Sequence, residues 1–178
     1  SIPAIEAGLR LLKPGGIMSL CIYYGGESGY EERDALLDAP RQYGLTQNHK
    51  HLKEMISLCG LDNAPIFCPI VGDFYSGMEV SVPVFSKDLK GGIADIRALY
   101  QNYYQNGLVR YDDSTDPDGM LSAAAFSGRD DMQISVHGND ERILLTARFD
   151  NLGKGASGAA IQNMNILLGI DETTGLCV

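Results

Sequence analysis

Tryptophan is absent from the 178 residues, histidine occurs three times and cysteine four times. Cys21, Cys59, Cys68 and Cys177 lie far apart and share no CxxC spacing, so no metal site is expected. Free thiols in a reducing compartment, the cytoplasm, are the expectation instead. Positive charge is also scarce. Fourteen Lys and Arg against 23 Asp and Glu leave a net charge of -9, which argues against nucleic acid as a partner because a phosphate groove needs a basic field. A small anionic ligand stays admissible, since a local positive pocket can sit in an acidic protein. No apolar run approaches the roughly 20 residues that cross a bilayer. The start, Ser1-Ile2-Pro3-Ala4-Ile5-Glu6, has neither the basic flank nor the apolar core of an export signal. Without an initiator Met, residue 1 reads as a cut point in a longer protein.

What is plentiful is glycine, 21 residues, which predicts tight turns and close backbone approaches. Apolar residues at 44% and charged ones at 21% place the chain among globular sequences, with length for one well-filled core. Ile5, Leu9 and Leu12 share a helical face closed by Pro14-Gly15-Gly16. Ile17 to Tyr24 is a short apolar stretch that suits a central strand, and Gly25 to Gly29 a loop after it. A short helix is expected from Tyr30 to Leu37 and a brief strand from Tyr43 to Thr46.

Leu52, Met55, Ile56 and Cys59 recur at helical spacing, ended by Gly60. Ile66 to Val71 and Met78 to Phe85 read as strands reversing through Gly72 to Gly77, a loop whose Asp73 and Tyr75 could meet a ligand; Pro83 argues for an edge or a strand end. A helix from about Ile93 to Gln105 would bury Ile96, Leu99 and Tyr103. Asp112 to Gly119 is polar and turn-rich, the best candidate for a mobile loop. Met132 to Val136 and Ile143 to Phe149 flank Gly138-Asn139-Asp140-Glu141, a hairpin signal with a turn of four or five residues. The last helix is expected from about Gly155 to Leu168. The fold class that follows is α+β: one domain over residues 1–178, with a mixed, mainly antiparallel sheet and helices against it.

Two stretches could carry chemistry. Asn151-Leu152-Gly153-Lys154-Gly155-Ala156-Ser157-Gly158 opens a helix directly after a strand. Unpaired backbone N–H groups there, beside Lys154, would suit an anion or a cofactor, and small residues allow close approach. The competing reading is a small-residue helix packed on a sheet. The second stretch holds His49 and His51, two apart before a helix. Their imidazoles titrate near neutrality and could act as general acid and base, whereas the structural alternative is a surface or helix-capping histidine.

From about Ala39 to Leu176 the sequence resembles the C-terminal domain of N-acetyl-gamma-glutamyl-phosphate reductase, a semialdehyde-dehydrogenase-type enzyme of arginine biosynthesis. The blocks that carry the resemblance are Ala39-Pro40-Arg41-Gln42-Tyr43-Gly44-Leu45, Asn48-His49-Lys50-His51-Leu52-Lys53-Glu54-Met55, Pro69-Ile70-Val71-Gly72-Asp73-Phe74-Tyr75-Ser76-Gly77-Met78 and Phe149 to Asn165. Gly169-Ile170-Asp171-Glu172-Thr173-Thr174-Gly175-Leu176 matches the family's ending.

The resemblance implies an NADP-dependent reduction of an acyl phosphate to a semialdehyde, through a thioester on a catalytic cysteine. It implies His49 or His51 as the acid/base. It places Asn151, Lys154, Gly155, Ser157, Gly158 and Gln162 beside the nicotinamide end of NADP. Expected partners are a small anionic acyl-phosphate substrate, a Rossmann domain outside this chain and a second copy in a homo-oligomer.

If the family's Cys-Tyr-Pro-Thr stretch is laid on Ser1-Ile2-Pro3-Ala4, Ser1 stands where the thiol belongs, so the chain by itself is expected to be inactive. Residues 1–37, through Leu11 to Ile17 and Ile22 to Asp34, resemble the late portion of a small S-adenosylmethionine-dependent rRNA methylase, which suggests a join of two gene pieces. The alternatives are a non-enzymatic structural or assembly remnant, a methyltransferase fragment, and Ser1 as a processed terminal nucleophile.

Overall fold

The computed structural model describes residues 39–178 and the backbone of residues 19–25. The expected helices of residues 5–12 and 30–37, the glycine loop beyond Gly25 and Ser1 lie outside the described residues. The strands are β1 (Ser19–Gly25), β2 (Arg41–Gln42), β3 (Ile66–Gly72), β4 (Met78–Phe85), β5 (Val109–Tyr111), β6 (Met132–Gly138) and β7 (Arg142–Phe149). The helices are α1 (Lys50–Cys59), α2 (Ile93–Tyr103) and α3 (Gly158–Leu168). The strands form one sheet in the order β2-β3-β1-β4-β7-β6-β5. Only β1–β3 and β5–β6 pair in parallel, so the sheet is mixed and mainly antiparallel and the domain is α+β.

Alternation along the strands sorts the two faces. Val80, Val82 and Val84 of β4 lie level with Ala147, Leu145 and Ile143 of β7. These join Leu52 of α1 and Ile93, Ile96 and Tyr100 of α2 in one buried cluster. The inner face is therefore apolar and covered by α1 and α2. Both helices are stopped by their ends rather than by a loss of apolar residues. The left-handed Gly60 (φ 62°) closes α1 and sends its N–H to Ile56 O, while the Asp95 carboxylate accepts the Gly92 N–H to open α2.

The outer face carries Glu79, Ser81, Thr146, Arg148, Gln133 and Ser135, all but Ser81 buried although polar. Burial of such groups requires partners. Arg148 Nε donates to Gln133 Oε1 at 2.8 Å and its Nη1 to both oxygens of Asp116, at 2.8 and 2.9 Å. Gln133 Nε2 in turn donates to Asp112 O and Ser114 O, and Ser135 and Thr146 share their hydroxyls. Burial pushes the Glu79 carboxyl above the usual range, against the opposing pull of Ser81 and Arg148.

Several expectations change. β3 and β4 do not form a hairpin, because β1 lies between them, parallel to one and antiparallel to the other. Pro83 sits in an interior strand, two residues beyond Ser81, the last described residue of β4 paired with β1. The Asp112–Gly119 segment is not a loose loop. Its carboxylates accept from Val136 N, Ser114 N and Arg148, and it caps the outer face. Tyr100, not Tyr103, is the buried ring of α2; Tyr103 is 69% exposed. The β6–β7 turn has three residues between strands, shorter than expected, with Asn139 Oδ1 accepting the Glu141 and Arg142 N–H groups. The expected strand Tyr43 to Thr46 is a turn closed by Gln47 N to Gly44 O.

Candidate functional site

The stretch after β7 is built around one carboxylate. Asp150, 3% exposed, accepts from Ser76 Oγ at 2.8 Å, from Gly128 N, from Leu152 N at 2.7 Å and from Gly153 N at 3.2 Å. Burial alone would raise its pKa. The bonds from Gly128, Leu152, Ser76 and Gly153 outweigh it and hold the carboxyl below the usual range. Beside it, Asn151 Oδ1 accepts the N–H of Gly77 at 2.8 Å. Gly77 has φ +121° and stands against the Ala123 carbonyl, a place with no room for a side chain. The Gly72–Gly77 loop thus anchors this turn.

Residues Gly153–Ser157 form a π-helical turn that leads into α3, so α3 begins three residues later than the expected Gly155. This corrects the expectation of unpaired donors. Leu152 and Gly153 N–H groups are taken by the Asp150 side chain, Gly155 N by Asp150 O, Ser157 N by Leu152 O and Gly158 N by Gly153 O. Lys154 is occupied too: its Nζ donates to Gln162 Oε1 at 2.5 Å, and Gln162 Nε2 donates to Glu172 Oε2 at 2.7 Å. Desolvation lowers the Lys154 pKa, opposed by the Glu172 and Asp130 carboxylates. Gly158 is buried, with Asp130 directly where its side chain would be. Gly155, Ala156 and Ser157 are what the turn leaves open. The arrangement suits a flat neutral group lying on small residues, not a phosphate.

The histidines are held differently. His49 caps α1, its Nδ1 accepting the His51 N–H at 3.3 Å. Its ring lies 5.0 Å from that of Phe67, 4.7 Å from that of His51 and 5.9 Å from that of Tyr43. Desolvation first, then the positive charge of His49, lowers the His51 pKa; Glu54 opposes. The neutral imidazole is the favoured state.

The structure gathers Asn151, Lys154, Gly155, Ser157, Gly158 and Gln162 into one turn and leaves His49 and His51 elsewhere. Phe67, which both imidazole rings approach, is the second residue of β3, and Phe149, which precedes the turn, closes β7. The register puts three strand spacings and four residues between them, roughly 20 Å. Buried Val80, Val82, Leu145 and Ala147 fill the inner face between the two. Asp150, Asp130 and Glu172 organise the turn and were not singled out from the sequence. An Asp followed by Asn and Gly after a strand is an Asx-turn signal that points to the first of them.

The family model described as the semialdehyde dehydrogenase dimerisation domain matches residues 27–151. The chain belongs to this family. The match begins at residue 27, inside the stretch for which a methylase ancestry was expected, and these matches do not support that expectation. A Nostoc sp. protein named N-acetyl-gamma-glutamyl-phosphate reductase 2 is 44% identical over 144 residues, 75% of this chain and 45% of that protein. The Brucella suis N-acetyl-gamma-glutamyl-phosphate reductase is 40% identical over 135 residues, 71% and 43% of the two chains. The dimerisation domain thus spans less than half the length of these relatives. The crystal structure of aspartate semialdehyde dehydrogenase II from Vibrio cholerae shares the fold, with a TM-score of 0.60 at 13% identity over 93% of this chain and 58% of that one. Among the described residues no three His, Cys, Asp or Glu side chains converge as metal ligands, and no helix is long and apolar enough to cross a membrane.

Proposed function

We propose that the chain is the substrate-binding and dimerising part of an NADP-dependent N-acetyl-gamma-glutamyl-phosphate reductase of the cytoplasm, acting on a small anionic acyl phosphate. The observation that carries this reading is the Asp150-centred turn, which presents Gly155, Ala156 and Ser157 at a fixed height in a chain 44% identical to a relative named N-acetyl-gamma-glutamyl-phosphate reductase 2. Bound NADPH supplies the hydride. The residues of the turn fit its neutral ring, because small side chains let a ring approach. They suit its phosphates poorly, because the N–H groups of Leu152, Gly153, Gly155, Ser157 and Gly158 are already bonded and Lys154 lies between Gln162, Glu172 and Asp130. The phosphates are held by the nucleotide-binding part, in the portion of the relatives that this chain does not span.

His49 and His51 are the proposed acid/base pair, and the distance sets a fork. If one of them moves the proton, the reacting carbon lies at the β3 end and the turn touches the cofactor away from the nicotinamide. If the nicotinamide lies on the turn, the proton comes from another group. α3 exposes Met164, Leu167 and Leu168 to solvent, with Leu167 87% exposed, and this apolar surface is the one we assign to the nucleotide-binding part.

The test joins this chain to the N-terminal portion of the Nostoc relative and follows NADPH oxidation with N-acetyl-gamma-glutamyl phosphate. Turnover that needs both parts supports the reading. A joined, folded, dimeric protein that binds NADPH and never turns over the acyl phosphate contradicts it and leaves the assembly-remnant alternative. His49→Ala and His51→Ala in the same protein settle the fork: a fall in kcat of about a hundredfold or more places the reaction at the β3 end.

A further inference from the structure

The strand β3 outlasts its neighbour β2. The two pair only at Ile70 and Val71, after which Tyr43 N donates to Pro69 O at 3.0 Å. Polar groups alternate along a strand, so Phe67 is the next residue to turn its N–H and C=O the same way. By then the chain has left the sheet through the turn closed by Gln47 N and Gly44 O. One side chain stands in for the missing strand. Gln47 Oε1 accepts the Phe67 N–H at 2.9 Å, and Gln47 Nε2 donates to Phe67 O at 2.7 Å.

The backbone of Gln47 is left-handed, with φ 55°, a state that among the described non-glycine residues only Asp118 shares. Glycine is the unstrained choice there. Strain of this kind persists where the surroundings over-determine it, as the two amide bonds and the turn bond to Gly44 do here. What the amide holds is the wall of the histidine pair. Phe67 is 1% exposed, and its ring lies 5.0 Å from that of His49 and 6.5 Å from that of His51. Gln47 also precedes the α1 cap, His49, by two residues, so its left-handed turn directs the chain into the helix.

We propose that Gln47 is a positioning residue for the pair His49 and His51, fixing at once the ring behind the imidazoles and the backbone that carries them. The amide contributes reach and two opposite bonding groups, which a shorter or apolar side chain does not supply. Its consequence for catalysis rests on the acid/base reading of the two histidines. A displacement of about 1 Å at a reacting group costs up to about a hundredfold in rate, so a loosened Phe67 would be felt in turnover.

The test uses two variants of the full chain. Gln47→Gly removes the amide and relieves the left-handed backbone; Gln47→Met keeps the length and removes the bonding groups. Gln47 is exposed, so water can take over the freed groups of Phe67. NMR follows the contacts between the Phe67 ring and the two imidazoles, and the histidine titrations from pH 5 to pH 8. Both variants are expected to keep the far-ultraviolet circular dichroism spectrum, to lose the Phe67–imidazole contacts, and to raise the His51 midpoint toward the ordinary histidine value. Neither alters a charged neighbour of His51, namely His49, Lys50 or Glu54, so such a rise reports the position of the ring. In the joined reductase, kcat is expected to fall about tenfold or more at an unchanged KM for NADPH. If Gln47→Met does not fold, Gln47→Gly is read alone. Contacts and midpoints unchanged in Gln47→Gly overturn the proposal, as does an unchanged kcat in a joined protein that His49→Ala or His51→Ala cripples. If neither histidine variant lowers kcat, the acid/base reading fails by itself, and the NMR contacts still decide whether Gln47 places the rings.

Discussion

The two polar turns of the domain are held by opposite means. After β7, a single buried carboxylate collects four donors from three parts of the chain, residues 76, 128 and 152–153, and locks them together. At the start of α1, two imidazoles lean on Phe67 and on each other, fixed by one capping bond of 3.3 Å. The first arrangement is over-determined, so a group resting on Gly155 to Ser157 meets a surface of fixed height. The second depends on ring contacts at the rim of the sheet and on His51, whose pKa is lowered by desolvation, so it responds to pH. Rigidity and titration are supplied at different places, roughly 20 Å apart by strand rise and spacing.

The contrast breaks most severely at Asp150. Asp150→Ala leaves buried donors without an acceptor and is expected to destabilise the domain by about 3–5 kcal/mol, read by urea denaturation. A loss below about 1 kcal/mol would mean the turn is held by something else. Gly153→Ala is the next test, since a side chain there meets the Arg129 carbonyl, a backbone atom that cannot rotate away. The expected loss is about 1–3 kcal/mol. His49→Ala removes only a cap and some stacking, and about 1 kcal/mol is expected. If that variant lost as much as Asp150→Ala, the two turns would be equally rigid.

Acidification sharpens the comparison through the sign of each shift. His51 has a folded pKa below its unfolded one, so the stability it contributes is complete above the ordinary histidine range and is lost as pH falls through it. Asp150 is also depressed, from a lower starting point, so its contribution survives until pH falls below the ordinary carboxylate range. Amide exchange followed from pH 7 to pH 5 should therefore show α1 losing protection while the Gly153–Ser157 turn keeps it. Simultaneous loss at both would remove the distinction.

Local signals made much of the frame readable. Alternation in Met78 to Phe85 and Ile143 to Phe149, and the helical spacing closed by Gly60, correspond to β4, β7 and α1. The insertion of β1 between β3 and β4 was not readable, because a five-residue link between two apolar strands reads as a hairpin and strand order is decided by distant pairing. β5 has three residues, too few for a periodic signal. Of the candidate site, the small residues of the turn were visible, but the bonded N–H groups of Gly153, Gly155, Ser157 and Gly158 were not. Only coordinates show that Asp150 and the π-helical turn supply the partners. The separation of His49 and His51 from Lys154 was equally hidden, since both stretches flank helices and nothing local says which end of the sheet each occupies.

The proposed function requires Gly155 to Ser157 to touch the cofactor, on either branch of the fork. Ala156→Phe in the joined reductase covers that surface from an exposed position without touching the bonds of Asp150. Steady-state kinetics with NADPH as the varied substrate should show its KM raised about tenfold or more at an unchanged unfolding midpoint. An unchanged KM would contradict the claim.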